Sequence, residues 1–313
     1  MKIAVLMCTK NGSRFIVDQL ESIKNQDFKN FDIYISDNGS TDRTIACVKE
    51  FDFTNSSINI SYIQGKDMHF ANNFVFLAKN IEQKYDFYAF CDQDDVWSPN
   101  HISRGIGELL YFDKNLPLLH CSRTTLIDES GVKIGKSKKF LKKPSFQNAL
   151  VQSIAGGNTM IFNSSAYKIL VKASLKKKIV SHDWLLYILV SGCDGKIIYN
   201  QKPTVLYRQH DKNLIGSNNG FFNKFKRALM LLKGTFGTYN RLNFYQIDFI
   251  KCLTSKNLKI YNLYKASSQG SVLERLKGLI ISGVYRQSKL GQIGLVAHAL
   301  LNKKEKEAIN EKL

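Results

Sequence analysis

The alternation of short apolar runs with longer segments of helical periodicity, over the first 122 residues, constrains the fold of this sequence most strongly. The runs read as strands, and the segments between them place apolar residues three or four positions apart. The expected strands are residues 3–8, 31–36, 58–63, 87–91 and 118–121, and the expected helices are residues 13–25, 41–51, 70–81 and 100–112. This order predicts an α/β fold with a Rossmann-like, doubly wound mixed sheet.

The rest of the chain first completes this domain and then forms a C-terminal extension. With 313 residues, 44% of them hydrophobic, the chain can bury one sizeable core and an appendage. We predict a main domain over residues 1–219 and a basic, amphipathic helical extension over residues 220–313. Further strands are expected at residues 159–162, 196–199 and 204–207, further helices from residue 164 and at residues 182–190, and a mobile loop at residues 134–144.

Cysteine spacing and the N-terminus indicate the compartment. The six cysteines are far apart and form none of the close pairs typical of zinc or thioredoxin sites. The N-terminal apolar run has only five residues, too few for a signal peptide or a membrane span. We expect a cytoplasmic protein.

The net charge of +19 is concentrated towards the C-terminus. Residues 220–313 contain 17 Lys and Arg against five acidic residues. Such a charge favours partners that carry phosphate, and it leaves nucleic acid, anionic lipid and diphosphate substrates open.

Three carboxylates, those of Asp92, Asp94 and Asp95, lie within four residues at the end of an expected strand. Like charges this close repel one another unless a cation or hydrogen-bond donors compensate them. Capping of the next helix explains one aspartate but not three. Because Mg²⁺ and Mn²⁺ prefer oxygen ligands, the cluster predicts a site for one of these ions.

A second polar cluster, residues 36–42, follows the second strand and reads S-D-N-G-S-T-D. Asp37 and Asn38 can accept a hydrogen bond from the N3–H of a pyrimidine base. Turn formation and helix capping explain the same residues, so both interpretations stay open.

Two clusters follow later in the chain. Asp183, between His182 and Trp184 at the start of an apolar helix, can take a proton from an acceptor hydroxyl, although it can also be an N-cap. In the loop after residue 207, Arg208 can clamp a leaving diphosphate and His210 can bind the metal or a phosphate. A solvated basic loop is the alternative for the second cluster.

Together these motifs resemble the family 2 glycosyltransferases over roughly residues 1–215, and more narrowly their bacterial rhamnosyltransferase-like branch. The matching segments are C-T-K-N-G at 8–12, D-N-G-S-T-D at 37–42, D-Q-D-D-V-W at 92–97, G-G-N-T-M-I-F-N at 156–163 and H-D at 182–183. Asn38 stands where the family usually has a second acid, and His182 stands where it usually has Glu. The base, uracil or thymine, is left open.

The resemblance implies a GT-A fold and an inverting transfer of a sugar from a nucleotide-diphosphate donor to a glycan or undecaprenyl-linked acceptor in O-antigen, capsule or cell-wall polysaccharide synthesis. The lead donor is dTDP-L-rhamnose, and UDP-linked galactose, glucose or N-acetylated hexoses are the alternative. The implied site comprises the base Asp183, the donor residues Thr9, Asn11, Gly12, Asp37, Asn38, Asp92, Gln93 and Arg208, the acceptor residues Gly157, Asn158 and Trp184, and the Mg²⁺ or Mn²⁺ ligands Asp92, Asp94 and His210.

The basic extension suggests a membrane partner. Residues 221–232 place aromatic and aliphatic side chains near one side with Lys and Arg between them, which suits peripheral binding to the anionic inner face of a bacterial plasma membrane. Packing on the main domain or in a homodimer uses the same face.

A nucleic-acid-binding protein and a nucleotidyltransferase are the competing functions. The chain shows no recognisable nucleic-acid-binding motif, so no nucleic acid partner is expected.

Overall fold

A computed structural model describes residues 1–51, 53, 58–211 and 235–301. The strands are β1 (Ile3–Thr9), β2 (Phe31–Asp37), β3 (Asn59–Gln64), β4 (Phe87–Cys91), β5 (Val96–Trp97), β6 (Leu118–Ser122), β7 (Thr125–Ile127), β8 (Lys133–Lys136), β9 (Ile161–Asn163), β10 (Lys196–Asn200) and β11 (Val205–Arg208). The helices are α1 (Ile16–Lys24), α2 (Thr44–Glu50), α3 (Phe70–Lys79), α4 (His101–Leu109), α5 (Phe146–Ala149), α6 (Ser164–Leu170), α7 (His182–Gly192), α8 (Thr235–Ile250), α9 (Ser255–Ser268), α10 (Val272–Ser282) and α11 (Lys289–Leu301).

The main sheet has seven strands in the order β10-β6-β9-β4-β1-β2-β3. All neighbours are parallel except β9, which runs antiparallel between β4 and β6. The strand order reverses direction at β1, with β2 on one side and β4 on the other, so the loops after these strands border a crevice. The predicted mixed sheet is confirmed, and its crevice lies where the polar clusters of the sequence are found.

Helices cover both faces of this sheet. Alternate side chains of β1 point to opposite faces: Ala4 and Leu6 belong to one buried cluster, and Ile3 and Val5 to the other. The first cluster contains residues of α3, α6 and α7, and the second contains residues of α1, α2 and α4. Burial on both faces explains why the strands read as continuous apolar runs.

A second sheet of four strands, in the order β5-β11-β7-β8, lies beside the crevice. One local prediction is wrong here. Residues 134–144, expected to be a mobile loop, begin within strand β8, because Lys133–Lys136 pairs antiparallel with β7. Val96–Trp97 pairs with β11, and the next helix begins at His101, one residue after the predicted start.

The four C-terminal helices pack on the main domain. Gln246 of α8 accepts a hydrogen bond from the backbone N–H of Ser174 at 2.9 Å and donates one to its carbonyl at 2.8 Å. The side-chain amide of Asn257, in α9, donates to the carbonyls of Ser191 and Gly192 at the end of α7. Apolar residues of α8, α9 and α11 belong to the same buried cluster as α7. The helical character of the described part of the extension is therefore confirmed.

No helix among the described residues combines the length and the apolar character that a membrane span requires. The amphipathic segment predicted at residues 221–232 lies outside the residues that the structure describes.

Candidate active site

The loops after β1 and β2 meet at Asp37. The hydroxyls of Thr9 and Ser40 donate to Oδ1 of Asp37 at 2.8 and 2.6 Å. The backbone N–H groups of Gly39 and Ser40 donate to its Oδ2 at 3.1 and 2.8 Å. Four donors fix the orientation of this carboxylate. Thr9 and Asp37, both predicted to bind the donor, therefore lie together, and Asp37 also organises its own turn.

Asn11 and Gly12 connect the first loop to the start of α2. Oδ1 of Asn11 accepts from the backbone N–H of Thr41, and the N–H of Gly12 donates to the hydroxyl of Thr44, both at 2.8 Å. Asn11 has a φ of 49°, a left-handed conformation that Asn tolerates better than most residues. A Cβ at Gly12 would lie 2.2 Å from Oε1 of Gln93, so a side chain here would displace the Gln93 amide from its bonds to Lys10.

Asn38 holds the loop that precedes α3. Its Oδ1 accepts from the backbone N–H of Met68 at 3.0 Å, and its Nδ2 donates to the Met68 carbonyl at 2.7 Å. Gly65, in the same loop, donates its N–H to the carbonyl of Asp37 at 2.8 Å. The amide of Asn38 therefore has a structural task, and its predicted contact with a base stays a prediction.

The loop after β4 carries the carboxylate cluster and is fixed from two sides. Oε1 of Gln93 accepts from the backbone N–H of Lys10 at 2.9 Å, and Nε2 of Gln93 donates to the Lys10 carbonyl at 3.0 Å. On the other side, Oδ2 of Asp94 lies 2.8 Å from Nε2 of His210, just after β11. Asp94 and His210, two of the three predicted metal ligands, are thus in contact.

The third predicted ligand, Asp92, is not part of the same contact. Within the described ranges, no three His, Cys, Asp or Glu side chains are close enough together to hold a metal ion by themselves. The protein therefore offers Asp94 and His210 as an adjacent pair of ligands. Asp92 is near enough for its pKa to be raised by the charge of Asp94.

Asp95, the third carboxylate of the cluster predicted to hold a metal ion, connects three parts of the site through hydrogen bonds. The side chain is fully buried, with Oδ1 accepting from the backbone N–H of Arg208 at 3.2 Å. Its Oδ2 accepts from the side-chain amide of Asn158, which was predicted to bind the acceptor. Burial and the neighbouring charges of Asp94 and Asp92 raise the pKa of Asp95 well above its usual value. The position of Asp95 in a strand-end cluster was visible in the sequence, but its partners are more than 60 residues away.

Arg208 is buried and faces protein acceptors. Its Nε donates to the carbonyl of Asp94 at 3.1 Å and its Nη1 to the carbonyl of Glu129 at 2.8 Å. Its Nη2 lies 2.8 Å from Oδ2 of Asp18, and the guanidinium is 4.7 Å from the centre of the Phe15 ring. The structure thus places Arg208 behind the carboxylate loop, where it holds that loop, α1 and the β7–β8 hairpin together.

Asp183 begins α7 and is buried. Its Oδ1 accepts from the backbone N–H of Trp184 at 2.7 Å. The Trp184 side chain, predicted to contact the acceptor, is buried in the core, where its Nε1 donates to the carbonyl of Ala149 at 2.7 Å. The indole therefore anchors the first turn of α7, and with it the carboxylate of Asp183.

His182 fills a closed aromatic pocket behind Asp183. Its ring stacks on Phe74 with the centroids 3.9 Å apart and meets the edge of Phe90 at 4.6 Å. A Cβ at Gly157 would lie 2.2 Å from Nε2 of His182, so the predicted acceptor residue Gly157 packs against this ring. Neither ring nitrogen of His182 has a hydrogen-bond partner within the described part of the chain. Burial and the nearby His69 lower the pKa of His182 to about 3, so its ring is neutral.

The buried carboxylates of the two halves of the site influence one another. Loss of water around Asp92 raises its pKa to about 8, with further contributions from the charges of Asp94 and Asp183. Burial raises the pKa of Asp183 to about 7, which its hydrogen bond from Trp184 partly offsets. Residues that are 91 positions apart in sequence therefore share one electrostatic environment.

The chain is similar in sequence to known glycosyltransferases. Residues 4–170 match the family described as glycosyl transferase family 2. The chain is 31% identical over 231 residues to the dTDP-rhamnosyl transferase RfbG of Shigella flexneri. The aligned region covers 71% of this chain and 77% of that protein. It is also 23% identical to the uncharacterized glycosyltransferase RT0329 of Rickettsia typhi, over 92% of both chains.

Solved structures share the fold at low sequence identity. TarS 1–349 of S. aureus in complex with UDP superimposes with a TM-score of 0.54 at 14% identity, covering 97% of this chain and 89% of that one. The mannosyltransferase PcManGT from Pyrobaculum calidifontis, in complex with GDP-Man and Mn²⁺, has a TM-score of 0.52 at 15% identity, with coverages of 98% and 88%. The chain therefore belongs to glycosyl transferase family 2, has the GT-A fold, and is similar to the bacterial rhamnosyltransferases of that family.

Proposed function

We propose that this glycosyltransferase moves a rhamnosyl group from dTDP-L-rhamnose to a glycan or lipid-linked acceptor with inversion at the anomeric carbon. The observation that carries the proposal is the contact between Asp94 and His210 in the carboxylate loop, together with the buried carboxylate of Asp183 at the start of α7. A single displacement requires a base for the acceptor hydroxyl and a group that stabilises the leaving diphosphate. Asp183 and the carboxylate loop after β4 are the candidates for these two tasks. The similarity to the rhamnosyl transferase of Shigella flexneri supports the choice of sugar.

Asp183 is the proposed general base. Its carboxylate takes the proton of the acceptor hydroxyl as the oxygen attacks the anomeric carbon, from the face opposite the departing nucleoside diphosphate. The backbone bond from Trp184 keeps one carboxylate oxygen in place, which leaves the other to accept the proton. A base with a pKa of about 7 is well matched to a reaction near neutral pH.

The carboxylate loop fits a hard divalent cation. Asp94 and His210 supply an oxygen and a nitrogen in contact. Burial and the charges of Asp94 and Asp183 raise the pKa of Asp92, so a cation bound beside it would favour its ionised form. A bound Mg²⁺ or Mn²⁺ would stabilise charge on the leaving diphosphate, whose own oxygen atoms would complete the ligand set. Gln93 and Arg208 hold this loop in position.

The direct test is transfer from a panel of donors with a lipid-linked or glycan acceptor, with and without Mn²⁺. The panel contains dTDP-L-rhamnose and the UDP-linked hexoses, and the released nucleoside diphosphate is measured. We expect release of dTDP that requires the cation and is lost in Asp94→Ala. Preferred use of a UDP-hexose would replace rhamnose with the alternative donor, and release of pyrophosphate would indicate a nucleotidyltransferase.

A membrane partner is proposed for helices α10 and α11. Large apolar side chains point to solvent on both helices, including Ile280 at 80% exposure on α10 and Leu290 at 75% on α11. Between residues 235 and 301 the chain has nine Lys and Arg against two acidic residues. Exposed apolar side chains with this charge are typical of a surface that binds anionic lipid headgroups.

Sedimentation with vesicles tests this surface. We expect binding to vesicles that contain an anionic lipid and loss of binding in Ile280→Glu with Leu290→Glu. Leu141→Glu is the control, because Leu141 is equally exposed but belongs to the main domain. Binding of the double variant at the level of the control would contradict the assignment. A dimer that dissociates in the double variant would support the homodimer alternative.

A further inference from the structure

Arg208 was predicted to bind the donor diphosphate, but its guanidinium is bonded to protein groups. Its Nε and Nη1 donate to the carbonyls of Asp94 and Glu129, and Nη2 pairs with Asp18. Turning the guanidinium towards a ligand would break these contacts and leave buried acceptors unpaired. A basic side chain with a more exchangeable partner, Arg14, stacks on the same Phe15 ring as Arg208.

A cavity of about 540 Å³ lies beside the carboxylate loop, and its wall includes Arg14, Glu129 and His210. His210 connects the cavity to the proposed metal site, because its Nε2 is 2.8 Å from Asp94. The Phe15 ring packs beside His210, with the ring centroids 5.0 Å apart. The guanidinium of Arg14 lies 4.8 Å from the centre of that ring.

Arg14 has one anionic partner within the described residues. Its Nη2 lies 2.6 Å from Oε2 of Glu129, and the side chains are 64% and 37% exposed. Ion pairs exposed to this degree contribute little to stability, so the partner is readily exchanged. A diphosphate can bind both outer nitrogens of a guanidinium at once and carries more charge than one carboxylate.

The backbone at Arg14 is already fixed. The N–H groups of Phe15 and Ile16 both donate to the carbonyl of Gly12, at 3.0 and 3.1 Å. The N–H of Ser13 donates to Asp42 at 3.2 Å. Only the side chain of Arg14 needs to move to change partner.

We propose that Arg14 is a further donor-binding residue, which exchanges Glu129 for the diphosphate of the nucleotide when the donor binds. Glu129 is then a competing anion that holds Arg14 until the diphosphate displaces it. This inference rests on the proposed function, since it concerns the same donor. Lys10, the other basic side chain of this loop, pairs with Asp67 at 2.7 Å and is not among the residues that line this cavity.

Titration calorimetry in the presence of Mn²⁺ tests the exchange on the full chain. The ligands are dTDP, UDP and the nucleosides thymidine and uridine. Arg14→Gln should weaken diphosphate binding by about tenfold to a hundredfold and leave nucleoside binding unchanged. Arg43→Gln is the matched control, because Arg43 also forms an exposed pair with a glutamate, Glu50 at 3.2 Å, on the surface of α2.

A second variant, Glu129→Gln, distinguishes an exchange of partners from a simple loss of charge, by whether diphosphate binding becomes tighter or weaker. Glu129→Gln should tighten diphosphate binding, and it should have no effect in the Arg14→Gln background. An unchanged diphosphate Kd in Arg14→Gln, or weaker binding in Glu129→Gln, would overturn the proposal. If the wild-type protein binds none of the diphosphates, the proposed function itself fails. Wild-type binding with an unaffected Arg14→Gln contradicts only the role of Arg14.

Discussion

Asp183 combines two properties that affect catalysis and stability in opposite directions. It is buried at the start of α7, and burial raises its pKa from 3.8 to about 7. A carboxylate with this pKa is a useful base near neutral pH, but its charge is costly in the folded protein. The same residue therefore gives one prediction for the rate and another for the unfolding free energy.

The rate should rise with pH as Asp183 loses its proton. Below about pH 7 we expect kcat to increase close to tenfold per pH unit and then to level off. Asp183→Asn should lower kcat by about 10²–10⁴-fold, because the amide cannot take a proton. A pH series with saturating donor and acceptor measures both effects. A variant that keeps the wild-type rate would show that another group is the base.

The unfolding free energy should show the opposite trend. The folded protein holds the Asp183 proton more tightly than the unfolded chain does, so this residue lowers stability as pH rises from about 4 through about 7. Asp183→Asn should therefore be more stable than the wild type at pH 8, by about 1–3 kcal/mol, with a smaller difference at pH 5.

Urea unfolding at the two pH values measures this difference. Asp194→Asn is the control, because Asp194 is an exposed aspartate just beyond the end of α7. A gain in stability that is equal at pH 5 and pH 8 would contradict the titration of Asp183.

At the residue scale, the sequence indicates which side chains carry the chemistry better than it indicates their partners. Asp94 and His210, both predicted from positions that follow strands, lie in contact, whereas Asp37 binds its own turn and Thr9. The tasks of Arg208 and Trp184 could not be predicted, because both depend on which distant backbone carbonyls lie within reach. A basic side chain in a polar loop gives no sign that folding will bury it.

Helix α8 is held against the main domain by a paired amide contact. The Gln246 side chain is buried and makes both possible bonds with the backbone of Ser174. Gln246→Ala would leave a buried N–H and a buried carbonyl unpaired, which should lower the unfolding free energy by about 1–3 kcal/mol. Thermal or urea unfolding measures the change, and Arg241→Ala on the exposed side of the same helix should shift it by less than about 0.5 kcal/mol. Equal effects of the two substitutions would show that the contact does not hold α8.

Elements with strong periodicity were predicted well, and elements that depend on pairing were not. Strand β4 has the predicted bounds, and α3 begins at the predicted residue, Phe70. Strand β8 was missed because Lys133–Lys136 is exposed along its whole length and carries no apolar alternation. Only its hydrogen bonds to β7 define it as a strand, and no local pattern reports a partner strand.

At the scale of the whole molecule, the main domain and the described C-terminal helices share one buried apolar cluster. The buried cluster around α7 continues into α8, α9 and α11 through residues such as Phe244, Tyr261 and Leu295. Removal of residues 220–313 would expose the apolar surface that these helices cover. We expect the truncated chain to aggregate or to melt at a substantially lower temperature, which scanning calorimetry and light scattering can measure. A truncated chain with an unchanged melting temperature would show that the extension folds independently.

The contact between Gly157 and His182 limits which sequences this protein can explore. A side chain at 157 would collide with an imidazole that Phe74 and Phe90 already confine. Position 157 can therefore accept a larger residue only after the ring at 182 has been replaced by a smaller group. Evolution, or an engineer who wishes to alter the acceptor side of the crevice, has to change these two positions in that order.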